Sequence, residues 1–350
     1  MQKKRHILVR KISLPNKERS DVKGLILCAG RGSRLYPLTR SYPKTLIPIA
    51  NIPILQTCIE KLIEQEIDEI GIVIHPSQDA MIREQVGNGE RWGLQFTYIY
   101  QDEPKGISDA IKHAESFING NSFLLLLGDN LINESLSKLK ELIDSHRCQA
   151  ALMLSEVNNP QDYGIAELVG QRIVRLEEKP SSPKSNLAVV GAYAFTSSIF
   201  KAVVAIPPSP RGEYEITDAI QWLIDQGESV SYHITDKRIF DVGKIERLLE
   251  ANQWKLSQME SGLSHEPSLL ENCQLIPPVV VGPGCVLTNS VIGPYVSIGE
   301  GTSIDGCRIR NCVILSQSQL KEIPYLVKDT VIGFRSVITG LHSEGKGTDQ

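Results

Sequence analysis

The chain has 350 residues, 22% of them charged and 41% hydrophobic, with a formal net charge of -4. That length exceeds what one hydrophobic core usually serves and implies two domains, while the slightly acidic balance gives no basic field for nucleic acid. No run approaches the roughly 18 apolar residues that span a membrane, and seven scattered cysteines without a C-x-x-C pair fit a reducing cytoplasm and neither a disulfide framework nor a zinc site.

Residues 1–22 read as a basic leader: through Lys23 the segment carries eight Lys or Arg against Glu18 and Asp21. No apolar stretch of signal-peptide length follows. A loosely docked leader, a polyanion contact and an extra edge strand at His6-Ile7-Leu8-Val9 are the readings open. Gly24 to Cys28 is an unbroken apolar run, the pattern of a strand covered on both faces of a parallel sheet. Beyond it stands Ala29-Gly30-Arg31-Gly32-Ser33-Arg34. Gly30 and Gly32 permit close backbone approach, so that N–H groups can turn toward an anion, and Arg34 adds a fork of donors suited to phosphate oxygens. Pro37 and Pro43 punctuate the segment before Lys44 supplies a second cation. The loop lacks the third glycine of a dinucleotide fingerprint and the Lys-Ser/Thr ending of a P-loop.

From Ile52 to Leu127 helices and strands alternate. Helical spacing follows Pro53 (Ile54, Leu55, Cys58, Ile59, Leu62, Ile63), with strands expected at 69–74, 95–100 and 123–127 and helices at 79–86 and 106–117. The alternation means right-handed crossovers and a parallel sheet. Gln101 to Gly106 closes one strand and opens a helix, where an amide and a glycine N–H can read the edge of a base. Asp129 follows the apolar strand 123–127. A carboxylate there needs a partner, either a hard cation such as Mg²⁺ or the free N–H groups of a helix starting near Asn133.

Beyond residue 150, strands at 150–157, 164–169, 172–177 and 188–195 with short turns imply a mixed-sheet insertion. Gly212 to Asp218 has the acidic residues and threonine of a helix N-terminus and reads as architectural. A helix at 248–254 closes the domain, and residues 256–275 read as a polar linker. Val280, Val286, Ile292, Ile298 and Ile304 then recur every six residues, with glycine-rich turns between them, as in a parallel β-helix. The register slips at 309–315, residues 316–330 read as an insertion, and 341–350 is a tail.

These motifs together resemble those of the sugar nucleotidyltransferases, which join a nucleoside triphosphate to a sugar 1-phosphate. Their loop reads GGxGTRLxPLT followed by a lysine. Here Ala29 replaces the first glycine and Ser33 the threonine, while Gly30, Gly32, Arg34, Leu35, Pro37, Leu38, Thr39 and Lys44 match. The resemblance covers Lys23 to Gly340 and points to the long-form glucose-1-phosphate thymidylyltransferases. It implies a Rossmann-like mixed-sheet α/β catalytic domain at 23–255 and a left-handed parallel β-helix at 276–340. It also implies transfer from dTTP to glucose 1-phosphate, giving dTDP-glucose and pyrophosphate, by a cytoplasmic homo-oligomer that uses Mg²⁺. By the same resemblance Ala29, Gly30, Gly32, Ser33, Gln101 and Gly106 bind the nucleotide, and Gly164, Glu178, Lys179 and Gly191 bind the sugar phosphate. Arg34, Lys44 and Lys179 hold phosphates during the reaction, and Asp129 and Asp241 hold the metal. Departures stand at Ser108 and Asp109, where the family often has Ala and another residue, and at Phe240 and Val242 around Asp241. UTP with glucose 1-phosphate, GTP with mannose 1-phosphate and a non-catalytic nucleotide-binding subunit are the alternatives. An acyltransferase is disfavoured, because His265 and His342 lie outside the repeats. The β-helix presents no convergent acid, base or cation set, so its expected role is assembly or regulation.

Overall fold

The structure, a computed structural model, describes residues 21–40, 42–259, 263–265 and 268–340. Most of the basic leader, including His6–Val9, and the 341–350 tail lie outside the described residues. The backbone divides into two compact units that exchange segments along the chain. One takes the described residues up to Arg31 together with Pro43–Leu46 and Leu55–Ile239. The other takes Gly32–Tyr42, Ile47–Ile54 and the described residues from Phe240 onward.

The first unit is built on a nine-stranded mixed sheet. Val22–Leu27 runs through its middle, parallel to Glu69–Ile74 on one side and Ser122–Leu127 on the other, and Gln95–Tyr100 extends the parallel half. Leu25, Ile26, Leu125 and Leu126 are essentially inaccessible, because side chains of a central strand alternate between two covered faces and both faces must be apolar. Leu187–Phe195 runs antiparallel to Ser122–Leu127 and carries Ala150–Glu156 and Gly164–Val169. Ligands of open α/β sheets bind beyond the carboxyl ends of such parallel strands. Three of the loops singled out by the sequence start at those ends, after Leu27, Tyr100 and Leu127. The helix expected over 106–117 is two pieces, Ile107–His113 and Glu115–Ile118, which meet at Ala114.

In the second unit short parallel strands stack in a nearly closed, solenoid-like arrangement. Val279, Val296, Cys312 and Thr330 lie in register along one ladder. Leu269, Val286, Ser303, Gln319 and Val337 form a second, and Gln274, Val291, Arg308 and Leu326 a third. Strands Leu263–His265, Leu269–Glu271 and Gln274–Leu275 belong to these ladders, so the stack begins within the segment that reads as linker. Nor are residues 316–330 an insertion. Gln319–Lys321 and Leu326–Ile332 are rungs, and the slip is absorbed by a left-handed Asn311 inside the long strand Arg308–Ile314.

Of the six-residue series, Ile292, Ile298 and Ile304 point inward as expected, but Val280 and Val286 do not. Val286 is 40% exposed, whereas Val281 and Leu287 are buried, since a strand points alternate residues inward and the rungs use pairs such as Val279/Val281 and Val296/Ile298. The segment Gly32–Tyr42 packs within this unit. Leu38 joins the cluster of Leu249, Val313, Leu315, Val331 and Phe334, and the Tyr42 and Phe334 rings lie 4.0 Å apart. Asn252 Oδ1 accepts from Ala50 N at 2.8 Å and from Ser297 Oγ at 2.6 Å, and Asn51 Nδ2 donates to Ile298 O at 2.7 Å.

Candidate functional site

In the first unit the end of the central strand and the Asp129 loop are tied together by Gly128 N, which donates to Leu27 O at 2.9 Å. Lys44, only 6% exposed, donates from Nζ to Asp129 Oδ2 at 2.5 Å. A buried ammonium requires such a partner, so the lysine and the carboxylate hold each other at the strand end. Asp129 does not cap a helix. A short strand, Asn130–Ile132, follows it, and the next helix starts at Ser137. Beside this pair, burial pushes the Cys28 thiol up to about 12 against the opposing Thr45 hydrogen bond, and the Asp129 charge adds to the rise. Cys28 is a neutral packing group. All seven cysteines are unpaired.

Among the described residues no three His, Cys, Asp or Glu side chains converge on a metal-binding cluster. An ion here would take most of its coordination from water and phosphates, as Mg²⁺ does, with one or two carboxylates. The Asp129 side chain, 32% exposed and engaged by Lys44 through one oxygen, fits that demand.

Gln101 stands at the end of Gln95–Tyr100 and is 2% exposed. Its Nε2 donates to Asp109 Oδ2 at 2.6 Å and, at 3.4 Å, to Gly106 O. In the neighbouring strands Gly164 lies opposite Glu178. A side chain at Gly164 would meet Thr217 Cγ2 at 2.5 Å and Glu178 Oε2 at 2.9 Å, so the glycine is what lets those groups close on the strand. Lys179 follows with φ 44, a conformation costly for a non-glycine residue and found mainly where surroundings impose it. Its Nζ lies 3.7 Å from Glu178 Oε1. Gly191 sits at a register shift in Leu187–Phe195 with φ 46, and a Cβ there would overlap the Asn130 side chain.

Two groups here were not singled out by the sequence reading. Thr217 Oγ1 donates to Glu178 Oε2 at 3.4 Å, and Arg211 Nη1 lies 3.7 Å from Glu178 Oε1. The segment 212–218 does open a helix, Ile216–Asp225, but its N-cap Glu215 makes no side-chain cap bond. Glu215 is buried, which raises its carboxyl pKa, and it pairs with Arg211 at 3.2 Å. The signal available in the sequence was the arginine directly before Gly212-Glu213.

The second unit carries the remaining motif residues. Gly32 adopts a left-handed conformation, its carbonyl accepts from Thr39 Oγ1 at 2.8 Å, and Leu35 is fully buried while Ser33 and Arg34 are exposed. A Cβ built on Gly243 would lie 2.9 Å from Arg34 Nη2 and 3.1 Å from Asp241 Oδ1, so the guanidinium and the carboxylate close on the same stretch of bare backbone. Gly243→Ala should displace the flexible end of Arg34 without unfolding the unit. Steady-state kinetics should then show kcat lower by about tenfold, with the melting temperature near that of the wild type; an unchanged kcat would mean that this approach is incidental.

The family model described as "Nucleotidyl transferase" matches residues 23–258. A Haloferax volcanii protein, the low-salt glycan biosynthesis nucleotidyltransferase Agl11, is 35% identical over 332 residues, covering 89% of this chain and 92% of that protein. A glucose-1-phosphate thymidylyltransferase of Streptomyces griseus is 35% identical over 318 residues, covering 86% and 89%. Among solved structures, a Bacillus anthracis protein assigned as a glucose-1-phosphate thymidylyltransferase superposes with a TM-score of 0.63 at 33% identity, covering 67% of this chain and 94% of that one. On these matches the chain belongs to the nucleotidyl transferase family and is a sugar-phosphate nucleotidyltransferase.

Proposed function

We propose that the enzyme transfers a thymidylyl group from dTTP to glucose 1-phosphate, releasing pyrophosphate, with Mg²⁺ as its ion. The observation that carries the base assignment is Gln101, an almost fully buried carboxamide beside Gly106, because an amide and a backbone N–H together match the imide edge of thymine or uracil. The names of the two similar thymidylyltransferases support dTTP and glucose 1-phosphate in particular. In this reading an oxygen of the sugar phosphate attacks the α-phosphorus in line and pyrophosphate leaves, so the protein's share is positioning and charge stabilisation. Arg34 and the amides of Ala29 to Ser33 hold the departing pyrophosphate. Lys44 and Lys179 hold the two phosphates that react, and Glu178, the Gly164 amide and Gly191 line the sugar. When bound, Mg²⁺ would neutralise phosphate charge and bring the α-phosphate to the incoming oxygen. Asp129 would hold it, and the role of Asp241 as second ligand rests on its motif. The unpaired thiols support a reducing cytoplasm as its setting.

A second reading, UTP as donor, is favoured by the same Gln101–Gly106 pair, since uracil shares that edge and differs by one methyl group worth about 1–3 kcal/mol. A pyrophosphate-release assay over a grid of nucleoside triphosphates and sugar 1-phosphates separates the two. Highest kcat/KM with dTTP and glucose 1-phosphate is expected, with UTP used detectably and ATP and GTP poorly. UTP above dTTP would select the second reading, and GTP above both would overturn the base assignment.

A further inference from the structure

We infer that Asp109 is a positioning residue for base selection: it locks the Gln101 carboxamide so that only its carbonyl oxygen is presented, tuning the site to a base edge that offers an N–H. This rests on the pyrimidine reading above and deepens it. A carboxylate can only accept hydrogen bonds, so the 2.6 Å contact with Asp109 Oδ2 forces the amide nitrogen to that side. The ordinary ambiguity between the two ends of a glutamine is thereby removed by its partner. Nε2 spends its second hydrogen on Gly106 O. Oε1 accepts no hydrogen bond among the described residues, and the N–H of Gly106 donates none. Oε1 is not one of the buried side-chain atoms left without a partner among the described residues, so it faces open space where a ligand can reach it. The place beside Oε1 therefore calls for a donor, and the place beside Gly106 N–H for an acceptor.

Asp109 is itself held. It lies in the first turn of Ile107–His113, whose Ser108 donates from N to Tyr214 O at 3.1 Å and from Oγ to Glu215 O at 2.9 Å. One turn later His113 Nε2 stands 3.7 Å from the same Oδ2. Thymine and uracil present N3–H beside O4 and satisfy both free groups. Cytosine presents a bare N3 beside an amine, which sets acceptor against acceptor and donor against donor. Guanine has the thymine polarity, so Asp109 does not act against it and only the size of the slot can.

The test is the ratio of kcat/KM for CTP to that for dTTP, with glucose 1-phosphate as acceptor, in the wild type and in Asp109→Ala, Asp109→Ser and Asp109→Asn. Without the carboxylate the amide can turn over and meet cytosine, so Asp109→Ala should raise the ratio by about tenfold or more. Asp109→Ser, too short to reach Nε2, should do the same and carries the test if the alanine variant does not fold. Asp109→Asn, which can offer either an oxygen or an amine and so turn together with Gln101, should also raise the ratio although it keeps the shape of the side chain. A folded alanine or serine variant with the wild-type ratio would overturn the inference while leaving the pyrimidine reading intact. A wild-type enzyme that prefers ATP or CTP would overturn both.

Discussion

Asp129→Asn should lower kcat by roughly 10²-fold or more, the scale on which removal of one preorganised electrostatic group acts, while the fold survives. Asparagine has the shape of aspartate and its Oδ1 can still accept from Lys44, so the bond seen at 2.5 Å has a substitute. What disappears is the negative charge, which a hard cation requires. The carboxylate is 32% exposed but Lys44 is only 6% exposed, so neutralising Asp129 leaves a buried ammonium short of its counter-charge, and some stability should be lost together with the rate. Raising the Mg²⁺ concentration should recover part of the rate, the signature of a weakened ligand. A variant that turns over at the wild-type rate with ordinary Mg²⁺ would remove Asp129 from the metal site. Asp241→Asn should show the same dependence on Mg²⁺.

Local pattern made much of this enzyme legible. The strands Gln95–Tyr100 and Gly164–Val169 and the helix Asp79–Val86 fall where alternation and period alone place them, because continuous apolar runs and helical spacing are written in consecutive residues. The turn at Gly32 was legible for the same reason, since the left-handed conformation that its glycine permits is a property of one position. What escaped depends on approach between distant segments. Thr217 reaches Glu178 across 39 positions, and nothing in the spacing of Gly212 to Asp218 separates a threonine that caps its own helix from one that reaches a neighbouring strand. The repeat register failed in part, at its first two positions. Valines at 280 and 286 satisfy a six-residue count as well as Val281 and Leu287 do, and only the pleat decides which face is inward. Asp109 stood in the sequence as a departure from the family, and its meaning came with its contact to Gln101.

Truncation after Trp254 is expected to lower kcat by well over tenfold, and not merely to change the oligomeric mass. The sequence alone gives the repeat an assembly role, because no acid, base or cation set converges on it. The packing of Leu38 gives the repeat a second role beside that one. That residue lies four positions after Arg34, and its apolar partners Val313, Leu315, Val331 and Phe334 all lie beyond the truncation point. So do Ser297 and Ile298, which fix Asn252 and Asn51. A loop whose anchor has lost its pocket regains conformational freedom, and misplacing a phosphate-binding group by about 1 Å can cost 10²-fold in rate. Phe334→Ala is the milder form of the same experiment. The side chain is half-buried, so a stability loss of about 1–3 kcal/mol is expected, with kcat reduced by about tenfold. The KM for sugar phosphate should hold, and Phe334→Tyr, which keeps the ring beside Tyr42, should restore most of the rate. Light scattering on the truncated protein reads its assembly separately from its turnover. A soluble protein ending at Trp254 that keeps the wild-type kcat would show that the signature loop holds its shape without the stacked strands.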